Sequence, residues 1–257
     1  MSSIPRPAFA EERRRAIVEQ VSQAGNVRLA DLVAAHGVSE QTIRKDLEEL
    51  QRQHLLKRTH GGAIDVEFRS EQPPRERTLH HRQEKRAIAR TVAAMISPGQ
   101  SIFLDNGTTL EMVAEEITAT NINVLTNAIG VARALADRSG VRHTLVGGQL
   151  RDVSGSLTGP VAIDTLRKFS VDIAMIGAGG LRDDGFFVAD IGEAQVKMTA
   201  IDGARSVVLA LDSSKFGHRD FAPVGELDLI TTLVTERVTP QVQGWCDRHG
   251  TEIVLAH

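Results

Sequence analysis

The chain lacks most features that would place it outside a reducing, aqueous compartment. Its 257 residues include one cysteine, so no intramolecular disulfide can form and the disulfide-stapled secreted class is excluded. No stretch reaches the run of about 18 apolar residues that a membrane-spanning helix needs. The opening residues MSSIPRPAFAEERRR hold no apolar segment of the kind a secretory signal requires. No fixed-period repeat is visible. These absences predict a cytoplasmic protein with no membrane partner.

Apolar residues make up 41% of the chain and charged residues 25%, which suits a large buried core and argues against disorder. The length allows one or two domains. A net charge of −3 speaks weakly against nucleic acid, but its distribution removes the objection. Residues 1–90 carry +4 and residues 91–257 carry −7. Such asymmetry suggests different partners for the two parts.

In the first part, Ala16, Ile17, Val21 and Ala24 recur at helical spacing, and Leu29, Leu32 and Val33 suggest a second short helix. Gly37 suits the left-handed exit of that helix. Ser39 then has the chemistry of an N-cap, with its Oγ able to accept from the N–H of Gln41 or Thr42. Ile43, Leu47 and Leu50 form the apolar stripe of a third helix. The following LLKRTHGGAIDV predicts a β-hairpin with Gly61 and Gly62 at its tip. A small three-helix domain with a polar face would satisfy this pattern. So would a winged helix-turn-helix, whose third helix enters the major groove. In the second case Ser39, Gln41, Thr42, Arg44 and Lys45 lie at or near base edges and phosphates, and Arg58 and His60 grip the adjacent backbone.

The polar, proline-bearing segment 67–84 predicts a linker between domains 1–66 and 85–257. Its His80–His81 pair lacks a cysteine or acidic partner at ligand spacing, so surface histidines and no metal are expected. Beyond it, the helical pattern KRAIARTVAAMI (85–96) gives way to short apolar runs. These are SIFLD (101–105), NINVLT (121–126), RHTLVG (142–147), VDIAMIG (171–177), RSVVLAL (205–211), LDLITTLVT (227–235) and TEIVLA (251–256). Helical patterns alternate with them near 110–118, 128–138, 160–168, 193–202 and 240–249. The alternation predicts an α/β domain with a mainly parallel sheet. Ligands in such sheets bind beyond the carboxyl ends of the strands.

The loops at those ends are therefore the candidate site. In DNGTTLE (105–111), Asp105 ends a strand, Asn106 follows it, Gly107 permits a tight turn, and Thr108 and Thr109 open a helix. Either the N–H groups and hydroxyls hold an anion, or Thr108 caps the helix. Asn127 either meets a ligand or caps the next helix. Arg151 either pairs with an anion or faces solvent. Gly177, Gly179 and Gly180 allow close backbone approach, but their spacing is not that of a dinucleotide fingerprint. Lys215 and two hydroxyls in DSSKFG (212–217) follow the fifth strand; there Lys215 either meets a phosphate together with its neighbours or is a solvated surface charge.

Over nearly its full length the chain resembles the DeoR-type transcriptional repressors, the group that includes the glycerol-3-phosphate regulator. The motifs that carry the resemblance are VSEQTIRKDLEELQRQHLLKRTHGGA, FLDNGTT, VLTNA, VGGQLR, GAGGLRDDG, EAQVK and LDSSKFG. It implies operator DNA as one partner and a phosphorylated sugar or polyol as the other, with no cofactor. It also implies a sensor domain similar to ribose-phosphate isomerases. Those enzymes use the carboxylates of a D-G-A-D type motif, whereas the matching stretch here is Ile176–Gly177–Ala178–Gly179. General acid–base chemistry needs a proton-accepting group in reach, so a sensor is expected and no catalytic residue is assigned. The rival expectation is an isomerase-like enzyme with an appended DNA-binding module. The expected effector site joins the 105–109 loop, Asn127, Gly177, Gly179 and Lys215, with Asp190 and Glu193 free to accept from sugar hydroxyls. A homo-oligomer, dimer or tetramer, is expected to present paired DNA-binding domains.

Overall fold

The computed structural model describes residues 10–24, 26–53, 55–59, 61–64 and 80–257. The chain divides into two units, 1–71 and 72–257.

In the first unit, helix α1 (Ala10–Ala24) buries Ile17 and Val21, one turn apart. Strand β1 (Asn26–Arg28) leads into α2 (Leu29–His36), which ends at Gly37. Gly37 adopts φ 62° and its N–H donates to the Val33 carbonyl at 3.0 Å, the left-handed exit expected from the sequence. Ser39 then caps α3 (Glu40–Arg52), its Oγ accepting from the Thr42 N–H at 3.2 Å. Ile43, Leu47 and Leu50 face inward against Leu32 and Leu56 in one apolar cluster. Strands β2 (Lys57–Thr59) and β3 (Gly62–Ile64) complete a three-stranded sheet of order β1-β3-β2. This is a helix-turn-helix with a wing. The sequence places Gly62 at the hairpin tip, but it lies within β3, opposite Thr59 on one side and Arg28 on the other. A Cβ there would sit 2.0 Å from the Val27 carbonyl oxygen. The glycine is thus required by the approach of β1, a strand the sequence pattern did not suggest.

The second unit is built on a seven-stranded, all-parallel sheet of order β15-β14-β12-β9-β4-β5-β6. The strands are β4 (Ser101–Leu104), β5 (Ile122–Thr126), β6 (Val141–Leu145), β9 (Val171–Ile176), β12 (Ala204–Ala210), β14 (Thr232–Thr235) and β15 (Glu252–Leu255). Helices α4 (Arg82–Ala94), α5 (Thr108–Glu116) and α6 (Ile129–Leu135) share one apolar cluster with Ile102, Leu104, Val124 and Met175. Helices α7 (Pro160–Leu166), α8 (Ile191–Asp202) and α9 (Pro240–His249) share the other with Phe103, Leu125, Ala174 and Ile176. Alternate residues of each central strand enter opposite clusters. Both sheet faces are therefore covered, which is why these strands read as unbroken apolar runs.

The run LDLITTLVT divides into a short turn, Leu227–Leu229, and the strand β14. Leu227 and Ile230 are both buried and three residues apart, a turn spacing rather than a strand spacing. Helix α4 starts at Arg82, so the last residues of the expected linker are helical. The linker residues 67–79 lie outside the described residues. Two small antiparallel sheets are additions to the expected plan. One pairs β7 (Gln149–Arg151) with β8 (Ser156–Thr158), and the other joins β10 (Gly180–Arg182), β11 (Gly185–Val188) and β13 (Ala222–Gly225).

Candidate functional site

Helix α3 presents two opposed stripes. Ile43, Asp46, Leu47 and Leu50 are buried, while Gln41, Arg44, Lys45 and Glu48 are exposed at i, i+3, i+4 and i+7. Gln, Arg and Lys on this exposed stripe are side-chain types able to donate to base edges and phosphates. Ser39 and Thr42 are committed more fully than the sequence predicts, because their hydroxyls also bond each other at 2.8 Å. Arg44 donates to Glu40 Oε1 at 2.7 and 3.0 Å. Arg58 on β2 donates to Glu48 Oε1 at 2.7 Å, and its backbone N–H donates to Gln51 Oε1 at 2.9 Å. His60 lies outside the described residues.

The sequence missed the anchor beneath this surface. Asp46 is 2% exposed and accepts from Arg13 Nε at 2.6 Å and Arg14 Nε at 2.8 Å. A carboxylate in the buried phase of α3 needs a cationic partner, and that phase was the signal to look for one. His36 stands beside this cluster. Burial lowers its imidazole pKa and the Arg13 charge adds to the effect, against the opposing pull of Asp46.

In the second unit, the carboxyl ends of β12, β9, β4 and β5 lie side by side. Asp105 follows β4 and is fully buried, as is Asn127 after β5. Lys197, 2% exposed on α8, pairs with Asp105 Oδ2 and donates to Asn106 Oδ1 at 3.2 Å. The Gly177 N–H donates to the same Asp105 oxygen at 3.2 Å. Burial raises the Asp105 pKa, while the Lys197 ammonium and the Gly177 N–H oppose it. Asp105 Oδ1 and both polar atoms of the Asn127 side chain are buried with no hydrogen-bond partner among the described residues. Buried polar atoms are normally satisfied by protein or by a bound molecule, so these atoms are able to bond a polar ligand or water. Helix α6 has Ala128 as N-cap with no side-chain cap, which removes the capping alternative for Asn127.

Gly107 is the N-cap of α5, with φ 132° and no side-chain cap. Thr108 therefore does not cap this helix. The first N–H groups of a helix have no intrahelical partner, and Thr108 and Thr109 are buried beside them. Lys215 ends a half-buried turn, Ser213–Lys215, after β12.

Four expected ligand contacts are used differently. Glu193 is not free: its Oε1 accepts from Ser156 Oγ at 2.8 Å, Asn106 Nδ2 at 3.3 Å and Arg151 Nη1 at 3.4 Å. Asp190 caps α8 by accepting from the Glu193 N–H at 3.0 Å and pairs with Arg151 Nε at 3.4 Å. The Gly177 N–H is spent on Asp105, and the Gly179 N–H donates to the Phe187 carbonyl at 2.8 Å. At Gly179 the close approach comes from the chain itself, since a Cβ would sit 1.7 Å from Asp220 Oδ2. Ser156 and Lys197 were not assigned to the site by the sequence, and Arg151, expected to pair with an anion or face solvent, pairs with Asp190 and Glu193. Glu193 and Lys197 are one turn apart in EAQVK, among the buried Ala194, Val196, Ala200 and Ile201. A lysine in the buried phase of the helix, one turn after Glu193, was the missed signal. As a whole, the cluster can hold an anion at the start of α5 and polar groups against Asp105 and Asn127.

Comparison with known proteins gives two family matches. A DeoR-like helix-turn-helix domain matches residues 13–67, and a DeoR C terminal sensor domain matches residues 80–237. The chain is 35% identical over 231 residues to the glycerol-3-phosphate regulon repressor of Escherichia coli (strain K12), covering 89% of this chain and 92% of the relative. It is 32% identical over 251 residues to the HTH-type transcriptional repressor GlcR of Bacillus subtilis (strain 168), covering 96% of each. It is 32% identical over 230 residues to the lactose phosphotransferase system repressor of Streptococcus mutans, covering 88% of this chain and 92% of the relative. All three relatives are named as repressors rather than enzymes.

Proposed function

The chain belongs to the DeoR family, and from that premise we propose that it is a cytoplasmic transcriptional repressor of a sugar or polyol operon. A phosphorylated sugar or polyol releases it from its operator. The observation that carries the proposal is the exposed stripe of Gln41, Arg44 and Lys45 on a capped α3, within a winged helix-turn-helix. Arg44 reads a base, while Lys45 and Arg58 meet phosphates. One winged module covers a short site, so paired half-sites and a homo-oligomer held through residues 85–257 complete the proposal. Light scattering on the full chain tests assembly, and a strict monomer at micromolar concentration contradicts it.

The effector's phosphate takes the N–H groups at the start of α5, the Thr108 and Thr109 hydroxyls, and the Lys215 ammonium. Its hydroxyls meet Asp105 and Asn127, whose orphaned polar atoms support that placement. The relative named for glycerol-3-phosphate supports a phosphorylated ligand.

Arg44→Ala should cost about 1–3 kcal/mol on the operator and relax one base position. Lys45→Ala should weaken all duplexes alike and reduce the salt slope by about one. Electrophoretic shifts at two salt concentrations separate the two effects. Unchanged binding in both variants removes α3 as the reading helix.

A further inference from the structure

Each arginine described on α3 and β2 is paired with a carboxylate of α3. Arg44 pairs with Glu40, Arg52 with Glu49 and Arg58 with Glu48. Glu48 is exposed beside Arg44 and Lys45, one turn beyond Arg44 towards the C-terminal half of α3. We propose that Glu48 is a specificity-determining residue, which holds Arg58 away from phosphate on unmatched DNA and reads a base on the operator. The proposal rests on α3 being the reading helix.

Non-specific binding comes almost entirely from cations meeting phosphates. Arg58 reaches a phosphate only by leaving Glu48, and a released Glu48 on the reading stripe faces the negative duplex unpaired. Loose binding therefore forfeits one cation and exposes one anion. On a matching site the deeper insertion of α3 brings Glu48 to the base edges. There the cytosine N4 amino group is the donor suited to a carboxylate. Glu48 then finds a partner when it lets go of Arg58, and both charges are satisfied. The same pair is not needed to fasten the wing, because Gln51 already holds the Arg58 backbone N–H at 2.9 Å.

The test compares wild type, Glu48→Gln, Arg58→Ala and the double variant. Two duplexes are used: one of random sequence, and one enriched by the wild-type protein from a random library. Glu48→Gln should tighten random-duplex binding about two- to fivefold, the scale of one exposed ion pair. It should also steepen the random-duplex salt slope by about one. That gain should disappear in the Arg58→Ala background. On the enriched duplex, discrimination at one C·G pair should relax, so the ratio of operator to random affinity falls. Equal melting temperatures of wild type and Glu48→Gln should accompany these changes. The proposal is overturned if Glu48→Gln leaves random-duplex binding unchanged, or if its gain persists without Arg58. A lowered melting temperature with an unchanged affinity ratio also overturns it, by making the pair a structural staple. If wild type enriches no sequence, the reading-helix premise itself falls, and this is seen before any variant is made.

Discussion

Asp46 sits at the buried phase of α3 with two arginine partners from α1, so it fixes how α3 is held. Removing one partner of a buried ion pair leaves the other uncompensated and costs about 3–5 kcal/mol. Asp46→Ala should therefore loosen α1 and α3 while leaving the sensor sheet intact. Hydrogen exchange on the full chain should show faster exchange in peptides from 10–53 and unchanged exchange in those from 101–126. Wild-type protection throughout would mean that the pair contributes little. At this scale the sequence was partly legible. Ser39 and Gly37 could be read because capping and helix exit are local chemistry, set by neighbours three or four residues away. Asp46 with Arg13, or Lys197 with Asp105, could not be read, because 33 and 92 residues separate the partners. The same distance hid the occupation of Glu193.

Among the elements, the parallel strands and their crossover helices were visible as apolar runs long enough to be buried on both faces. The strands β1, β7, β8 and β10 have three residues each, too few for a period to show. Their existence depends on pairing, and Gly62 makes the point. Its backbone lies between β1 and β2, with the Val27 carbonyl where a Cβ would go. Gly62→Ala must push β1 and β3 apart, since a backbone oxygen cannot rotate away as a side chain can. The expected result is loss of operator binding with the sensor unit still folded. Circular dichroism melting and an electrophoretic shift together check it. Wild-type operator affinity in this variant would show that the wing's register is not needed for binding.

For the whole molecule, we propose that a phosphorylated ligand at the strand ends of one unit controls DNA binding by the other. The charge division of +4 and −7 between residues 1–90 and 91–257 fits the assignment of DNA to the first. Coupling between two sites is a free energy shared by both, typically about 1–3 kcal/mol, and it is reciprocal. The effector should weaken operator binding by the same factor that operator DNA weakens effector binding. The direct measurement is fluorescence anisotropy of a labelled operator duplex, titrated with a panel of sugar and polyol phosphates and their unphosphorylated parents. One phosphorylated compound should release the duplex, its parent should not, and Thr108→Val and Lys215→Ala should lose the response while still binding DNA. Release by the parent compound, or by the same phosphate at the same concentration in both variants, would rule out a phosphate site at Thr108 and Lys215.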